Sequence, residues 1–216
     1  MRVRPGVAVL VVVLCTGCLS ISANRSRPDS PTVHAGAVAH EVDDNSLRVS
    51  AGELAVVRID RSFRYVGGQR FVLRGVADAE QHFFVHAEPN GVIRQMYWVQ
   101  IESFLPDSGG AYDYAEDDRV SVHGLPFHTS TRRFTTPPVD DSDRGIAYAF
   151  LRRHGLTVPH PATRSRIVYL PGEDKRAEVM IIYLEAAVDT SDPTPEEEVE
   201  SLSRLLAGLD IRTFDN

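Results

Sequence analysis

Apolar and polar positions alternate over residues 47–105 in short runs that are typical of β-strands. Asn90-Gly91 lies between two such runs and predicts a hairpin, because primed turns require positive φ. Gly67-Gly68 also lies between apolar runs and predicts a second hairpin. The strand predicted over residues 92–104 would be about 40 Å long at about 3.3 Å per residue. So long a strand usually bends, and a bent antiparallel sheet tends towards a half-barrel or cup.

The segments that follow are less regular. Residues 106–118 are polar and predict a loop, residues 120–123 predict a short strand, and the Gly and Pro of residues 124–127 predict a further loop. Residues 166–170 and 177–188 are apolar and β-branched, so we predict that they pair as a hairpin.

Two segments carry helix signals at both ends. Residues 140–143 (DDSD) supply an N-cap, and the apolar positions after them stop before Gly155. Residues 194–197 (TPEE) have the spacing of a capping box with proline in the first turn, and this second helix ends at Gly208. The predicted fold class is therefore α+β: a curved antiparallel β-sheet (half-barrel or cup) of six to eight strands, packed by two helices.

The N-terminus has an apolar run of a different kind. Arg2 and Arg4 precede residues 7–14, which carry no polar side chain. This run suits the hydrophobic region of a signal peptide and is too short to span a bilayer, which takes about 20 apolar residues. Thr16 and Gly17, both small, then precede Cys18.

Residues 13–18 (VLCTGC) resemble the lipobox of bacterial lipoproteins, although Cys15 stands where most members have leucine. The resemblance covers about the first 18 residues. It implies cleavage before Cys18 and lipid attachment at the Cys18 thiol, so that acyl chains anchor the protein in the bacterial cell envelope. Leu19, rather than aspartate, follows this cysteine and favours the outer membrane in a Gram-negative cell. An ordinary secretory signal cut at a small residue, or a short buried helix, are the alternatives.

We therefore predict three segments: a signal peptide (1–17), a lipidated N-terminus and flexible tether (18–45), and a single α+β domain (46–216). The tether prediction depends on residues 20–44, which are polar without apolar periodicity. The chain has only two cysteines, Cys15 and Cys18. The mature domain would then contain neither a disulfide nor a free thiol.

The charge of the chain limits its partners. Thirty acidic residues against 23 basic ones give a net charge of −7, which argues against a nucleic-acid binder. Residues 46–76 are locally basic, and this part of the sheet either contacts anionic lipid headgroups or is a solvated face. Its six arginines are Arg48, Arg58, Arg61, Arg64, Arg70 and Arg74.

Glu80, His82 and His86 are the densest candidates for chemistry. On a strand they share one face. The turn at Asn90-Gly91 would place His82 opposite Val99 and Glu80 opposite Ile101, and neither neighbour can bind a metal. We therefore predict no metal site, and the sequence has no motif for a cofactor. Nor does it contain a Gly-x-Ser-x-Gly elbow, and no catalytic residue is assigned.

Neighbouring aromatic residues place a large ring on each face of the predicted sheet. Phe83-Phe84 and Tyr97-Trp98 are the two pairs. One face must then be covered by a helix, or it must form an aromatic-lined pocket or docking surface. The candidate surface for a ligand or partner comprises Phe84, His82, Tyr97 and Trp98.

The leading hypothesis is a membrane-anchored bacterial envelope lipoprotein that acts as a binding or scaffolding module. Its partner would be an apolar, lipid-like ligand or an envelope protein. The alternative is an envelope hydrolase that uses Glu80, His82 or His123 with an acidic neighbour.

Overall fold

An eight-stranded antiparallel sheet lies at the centre of the structure. The computed structural model describes residues 33–34, 38–115, 118–139 and 141–214. Within these ranges the strands are β1 (Val33–His34), β2 (Val42–Asp43), β3 (Ser46–Ala51), β4 (Leu54–Ile59), β5 (Arg64–Leu73), β6 (Ala77–Ala87), β7 (Ile93–Phe104), β8 (Arg119–Val122), β9 (Leu125–Phe134), β10 (Ala162–Tyr169), β11 (Ala177–Ala186) and β12 (Leu209–Thr213), and the helices are α1 (Asp143–Arg153) and α2 (Pro195–Ala207).

The central sheet has the strand order β1-β5-β6-β7-β11-β10-β9-β8, and a second sheet has the order β12-β4-β3-β2. All pairs of neighbouring strands are antiparallel. Neither sheet closes on itself. The predicted fold class, α+β with an open, curved antiparallel sheet and two helices, is confirmed. The four-stranded second sheet is an addition that the sequence did not indicate.

One face of the central sheet packs against the second sheet and α2. Phe84, Tyr97 and Tyr183 point from the central strands into this layer, where they meet Val57 of β4 and Leu205 of α2. The burial of these large side chains, at about 25 cal/mol per Å² of apolar surface, gives this layer a major share of the folding free energy.

The opposite face of the central sheet packs against α1 and the segment that follows it. Phe83 and Trp98 contribute the aromatic side chains of the sheet, and Phe150 and Leu151 cover them from the helix. The Phe83 and Phe150 rings stack with centroids 5.0 Å apart. Both faces of the central strands are therefore covered by other parts of the same chain.

Local signals place the helices and one hairpin correctly. The Ser142 side chain accepts a hydrogen bond from the Gly145 amide at the start of α1. Thr194 and Glu197 form both hydrogen bonds of the predicted capping box, and α2 ends at Gly208. The hairpin at Asn90-Gly91 joins β6 to β7.

Two predicted loops are wrong. Gly67-Gly68 is not a turn, because β5 continues through both residues with a register shift between Tyr65 and Gly67. Gly67 has φ of 135°, which absorbs the irregularity. Residues 124–127 are not a loop either: the chain reverses at His123-Gly124, and Leu125 already begins β9.

The structure also involves residues that were predicted as tether. β1 pairs with β5, and β2 pairs with β3, although both lie before residue 46. Part of the segment between Cys18 and the domain is therefore attached to the folded unit.

Candidate functional site

The four residues predicted as a binding surface lie in the interior. Phe84, His82 and Tyr97 are fully buried, and Trp98 is 2 % exposed. Phe84 and Tyr97 face the second sheet, whereas Trp98 faces α1. They form no common exposed surface, because α1 covers one face of the sheet and the second sheet with α2 covers the other. Cys18, the predicted lipid attachment site, is outside the described residues.

His82 is the centre of a buried chain of hydrogen bonds. Its Nε2 atom lies 2.7 Å from Glu80 Oε1, and its Nδ1 atom lies 2.9 Å from the Tyr65 hydroxyl. Glu80 lies opposite Ile101 and His82 opposite Val99, as predicted from the turn at Asn90-Gly91. The His82 ring fits here because Gly68 lies opposite it, and a Cβ at Gly68 would be 2.9 Å from His82 Nδ1.

Glu80 also binds the N-terminal segment of the described domain. Its carboxylate accepts hydrogen bonds from the backbone amides of Ala39, at 2.7 Å, and His40, at 2.9 Å. The His40 ring lies 3.2 Å from the same carboxylate through Nδ1. We call Glu80, with Ala39, His40 and His82 around it, the Glu80 clasp.

The Glu80 clasp favours an ionised carboxylate. Burial alone would raise the pKa of Glu80, but hydrogen bonds from His40, from His82 and from the two backbone amides hold that pKa well below its usual value. Burial and the nearby charge of Glu80 raise the pKa of Tyr65 to about 12. An ionised Glu80 favours the proton on His82 Nε2, which leaves Nδ1 to accept the hydrogen bond that Tyr65 donates.

The clasp meets a small cleft at one end. The cleft has a volume of about 180 Å³, and Glu80 and His40 line it beside the ion pair of Arg70 and Asp78. His82 is fully buried behind Glu80. The arrangement can hold residues 39–40 against the sheet, and it orients the His82 ring between Glu80 and the Tyr65 hydroxyl.

The remaining histidine candidates lie elsewhere. His86 is exposed near the β6–β7 turn, where its ring edge contacts Phe63. His123 lies in the turn between β8 and β9, and four strands separate β8 from β6 in the sheet. The structure therefore joins Glu80 to His82 but not to His123.

A row of three glutamines crosses the α1 side of the sheet and was missed at the sequence level. Gln69 donates to Gln81, and Gln81 donates to Gln100, both at 2.8 Å. Gln100 donates in turn to Glu102 at 2.7 Å. The row also donates to main-chain carbonyls of the first turns of α1, at Asp143 and Ile146. It therefore positions the helix on the sheet.

Two buried glutamates lie next to this row. Glu102 and Glu178 are directly opposite each other on β7 and β11. Each accepts a hydrogen bond from a tyrosine of the polar loop between β7 and β8: Tyr112 donates to Glu102 at 2.8 Å and Tyr114 donates to Glu178 at 2.5 Å. Burial and the charge of Glu102 raise the pKa of Glu178 to about 7, although Tyr114 and Arg166 oppose this shift. The tyrosine pair was visible in the sequence, but the strand pairing that joins the two glutamates was not.

A metal site and a membrane-spanning helix would each place requirements on the described part of the chain. No group of three or more His, Cys, Asp or Glu residues there is placed to hold a metal ion. Neither described helix is both long enough and apolar enough to cross a bilayer.

The comparisons with known proteins give no relative. No family model matches the chain, and no curated protein or solved structure matches it.

The Glu80 clasp predicts an acid-sensitive contribution to stability. Replacing the carboxylate in Glu80→Gln should lower the free energy of unfolding by about 2 kcal/mol at pH 7, because hydrogen bonds to a charged acceptor are lost. Since the folded-state pKa of Glu80 lies below the unfolded one, this contribution is complete above about pH 4.5 and is lost as the pH falls. Urea unfolding of both proteins between pH 3 and pH 7 measures the difference.

Glu173→Gln is the matched control, because Glu173 is exposed; it should change the unfolding free energy by less than about 0.5 kcal/mol. A Glu80→Gln deficit that stays constant from pH 7 to pH 3 would contradict an ionised Glu80 in the folded state.

Glu178 should have the opposite effect. Its folded-state pKa is raised, so ionisation at high pH destabilises the folded protein, and the stabilising effect of the neutral form is lost as the pH rises from about 4.5 to about 7. Glu178→Gln keeps an acceptor for Tyr114 and removes this loss. We expect it to be more stable than the parent by about 3 kcal/mol at pH 8, and nearly equal at pH 4. Urea titrations at both pH values test this, and equal stabilities at pH 8 would refute it.

Proposed function

We propose that this chain is a lipid-anchored protein of the bacterial cell envelope whose folded domain acts as a binding or scaffolding module. In a Gram-negative cell the anchor would lie in the outer membrane. The observation that carries the proposal is the order of its segments: a short apolar run, Thr16-Gly17-Cys18, a polar segment, and then a domain with a packed core. One or more acyl chains would attach it, each buried methylene contributing about 0.8 kcal/mol.

The packing of the domain supports a protein partner over an apolar ligand. Side chains of the chain itself fill both sides of the central sheet. Two open clefts lie instead beside the β6–β7 turn, and charged or polar side chains line part of each. They have volumes of about 520 and 540 Å³ and share residues 86–89. Arg94 and Glu185 line the first cleft, and His154 lines the second.

The contacts of the Glu80 clasp support a mechanical role for the tether. Because Glu80 holds Ala39 and His40 through backbone and side-chain hydrogen bonds, a pull on the N-terminal segment would act on β6 in the centre of the sheet. The basic region, residues 46–76, extends over both sheets and is partly neutralised, since Arg61 pairs with Asp44 and Arg70 pairs with Asp78. These ion pairs favour a solvated face over a headgroup-binding face.

The intact mass of the protein, expressed with its native signal in a bacterial host, tests the anchor. We expect a mature chain that begins at Cys18 and carries added acyl mass, and we expect the Cys18→Ser form to lose that mass. An unmodified chain that is cut elsewhere would refute the anchor.

In-cell cross-linking of the acylated protein then tests the binding role. A discrete cross-linked species should weaken in Arg94→Glu and persist in Arg74→Glu, which changes an exposed arginine of the β5–β6 turn. The absence of any such species would contradict binding while leaving the anchor intact.

A hydrolase is the second candidate function, and one observation favours it. Glu80, His82 and the Tyr65 hydroxyl form an orienting group, a base and a nucleophile within hydrogen-bonding distance. In such a reaction, His82 would take the Tyr65 proton as the phenolic oxygen bonds to a carbonyl carbon, and would pass it to the leaving group as that group's bond to the carbon breaks. A water molecule, with His82 again as the base, would then hydrolyse the acyl–tyrosine ester, release the acid and restore the Tyr65 hydroxyl. The raised pKa of Tyr65 opposes this reaction, because the phenolate is disfavoured at neutral pH.

Hydrolysis of p-nitrophenyl acetate distinguishes this second function. If the chain is a hydrolase of this type, Tyr65→Phe should lose at least about a hundredfold in kcat/KM, equivalent to about 2.7 kcal/mol, while it remains folded at the assay temperature. Tyr112→Phe removes a hydroxyl from a different buried hydrogen bond and serves as the control. No turnover by the parent protein, or equal turnover by Tyr65→Phe, would exclude this use of Tyr65.

A further inference from the structure

Four arginines gather on the α1 side of the sheet, away from the Glu80 clasp. Arg164 and Arg132 are directly opposite each other on β10 and β9, and Arg166 follows on the same face of β10. Arg144 reaches the group from the first turn of α1. Within the described residues, none of the four forms an ion pair with a carboxylate.

The ring of Phe134 brings two of these guanidinium groups close together. The Cζ atom of Arg144 lies 3.9 Å from the ring centroid, and the Cζ atom of Arg164 lies 4.8 Å from it. The two Cζ atoms are thus at most about 9 Å apart, the sum of these distances. Both guanidinium groups also act on the Tyr148 hydroxyl, so an anion beside that hydroxyl would be near both and could accept N–H···O bonds of about 2.8 Å.

Three buried polar atoms in this group have no hydrogen-bond partner among the residues that the structure describes. They are Arg144 Nη1, Arg164 Nε and the Tyr148 hydroxyl. Tyr148 is 5 % exposed. Burial raises the pKa of its hydroxyl, and the charges of Arg144 and Arg164 oppose that shift. An unsatisfied buried polar group costs about 1–3 kcal/mol, and native proteins contain few of them. Three together therefore indicate that a polar group from outside the chain completes the site.

The His160 ring lies at the edge of the same group. It packs against Tyr148 with ring centroids 5.8 Å apart, and its Nδ1 atom is also buried without a hydrogen-bond partner. Burial and the charge of Arg144 lower the pKa of His160, against the opposing effect of the Phe134 carbonyl.

The local electrostatics are unfavourable for the chain alone. Burial, together with the charges of Arg166, Arg132 and Arg144, lowers the pKa of Arg164 to about 10. Asp143 is the carboxylate that opposes this shift. Positive charges crowded in a partly buried place repel one another, and an anion would relieve that repulsion.

We infer that Arg144, Arg164 and Tyr148 form a binding site for a tetrahedral oxyanion, a phosphate or sulfate group, with Arg132 adding positive charge at its edge. Guanidinium groups bind such oxygens through paired N–H donors, and the Tyr148 hydroxyl supplies a further donor. Three arginines, opposed at Arg164 by Asp143, suit a doubly charged phosphate better than a singly charged carboxylate. The site is independent of whether Cys18 is acylated.

Thermal unfolding with inorganic phosphate tests this site. We expect phosphate and sulfate to raise the Tm of the parent protein more than chloride does at the same ionic strength, because the anion binds only the folded state. Arg144→Gln should weaken phosphate binding, measured by calorimetry, at least tenfold. Tyr148→Phe, which removes only the hydroxyl, should weaken it several-fold.

Arg152→Gln is the matched control, since Arg152 is an exposed arginine at the other end of α1. It should leave phosphate binding unchanged. If Arg164→Gln fails to fold, Arg144→Gln and Tyr148→Phe still decide the outcome. The inference would be overturned by a phosphate effect no larger than that of chloride, or by an effect that Arg144→Gln does not reduce.

The source of the oxyanion can be distinguished in a separate arm. Vesicles of equal parts phosphatidylcholine and phosphatidylglycerol should bind the parent protein, and not Arg144→Gln, if the group belongs to a lipid headgroup. Binding of inorganic phosphate without binding of these vesicles would indicate a soluble phosphate compound. Either result supports the site once inorganic phosphate has been shown to bind, and without phosphate binding the inference fails whatever the vesicles do.

Discussion

The need to cover both faces of the central strands determines most of this fold. β6 and β7 each carry large aromatic side chains on both faces, as in the adjacent residues Tyr97 and Trp98. Burial of these apolar side chains removes them from contact with water, and both faces of the sheet need such burial. An isolated sheet cannot bury both of its faces. The chain meets the requirement with α1 on one face, and with the second sheet and α2 on the other. The order of the elements follows from this constraint.

A buried polar contact fixes each covering layer in place. Gln69 and Gln81 donate to carbonyls at the start of α1, so the helix cannot slide along the sheet without losing those bonds. The Tyr97 hydroxyl donates to the Leu205 carbonyl at 2.7 Å and fixes the end of α2. A Cβ at Gly208 would be 2.4 Å from that hydroxyl, so only glycine lets the chain pass here. Apolar burial supplies most of the free energy, and these contacts select one arrangement of it.

Sequence reasoning succeeded where the signal is local. The capping box at Thr194 and the hairpin at Asn90-Gly91 each depend on a few neighbouring residues, and both are present. It failed where structure depends on distant pairing. β12 begins directly after Gly208, and its residues form a strand because they pair with β4. The aromatic pairs showed that both faces need cover, but not that the same chain provides it, so buried core positions were predicted as a surface. The arginine site required the pairing of β9 with β10 and the docking of α1, and no short-range pattern contains either.

The buried ionisable side chains differ in how many hydrogen-bond or ion-pair partners the chain gives them. This difference distinguishes side chains that stabilise the fold from side chains that we expect to bind a ligand. Glu80 receives hydrogen bonds from Ala39, His40 and His82, so its charge is explained within the fold. Glu178 has one tyrosine donor and a pKa near 7, so the neutral form resolves its burial. Arg144 and Arg164 pair with no carboxylate among the described residues, and they have no neutral form available, because a guanidinium does not lose its proton in the physiological range. The chain has a net charge of −7, yet several arginines that pair with no carboxylate among the described residues lie together here. Such local concentration is expected of a site for one anionic group, whereas a nucleic-acid binder would spread positive charge over a broad surface.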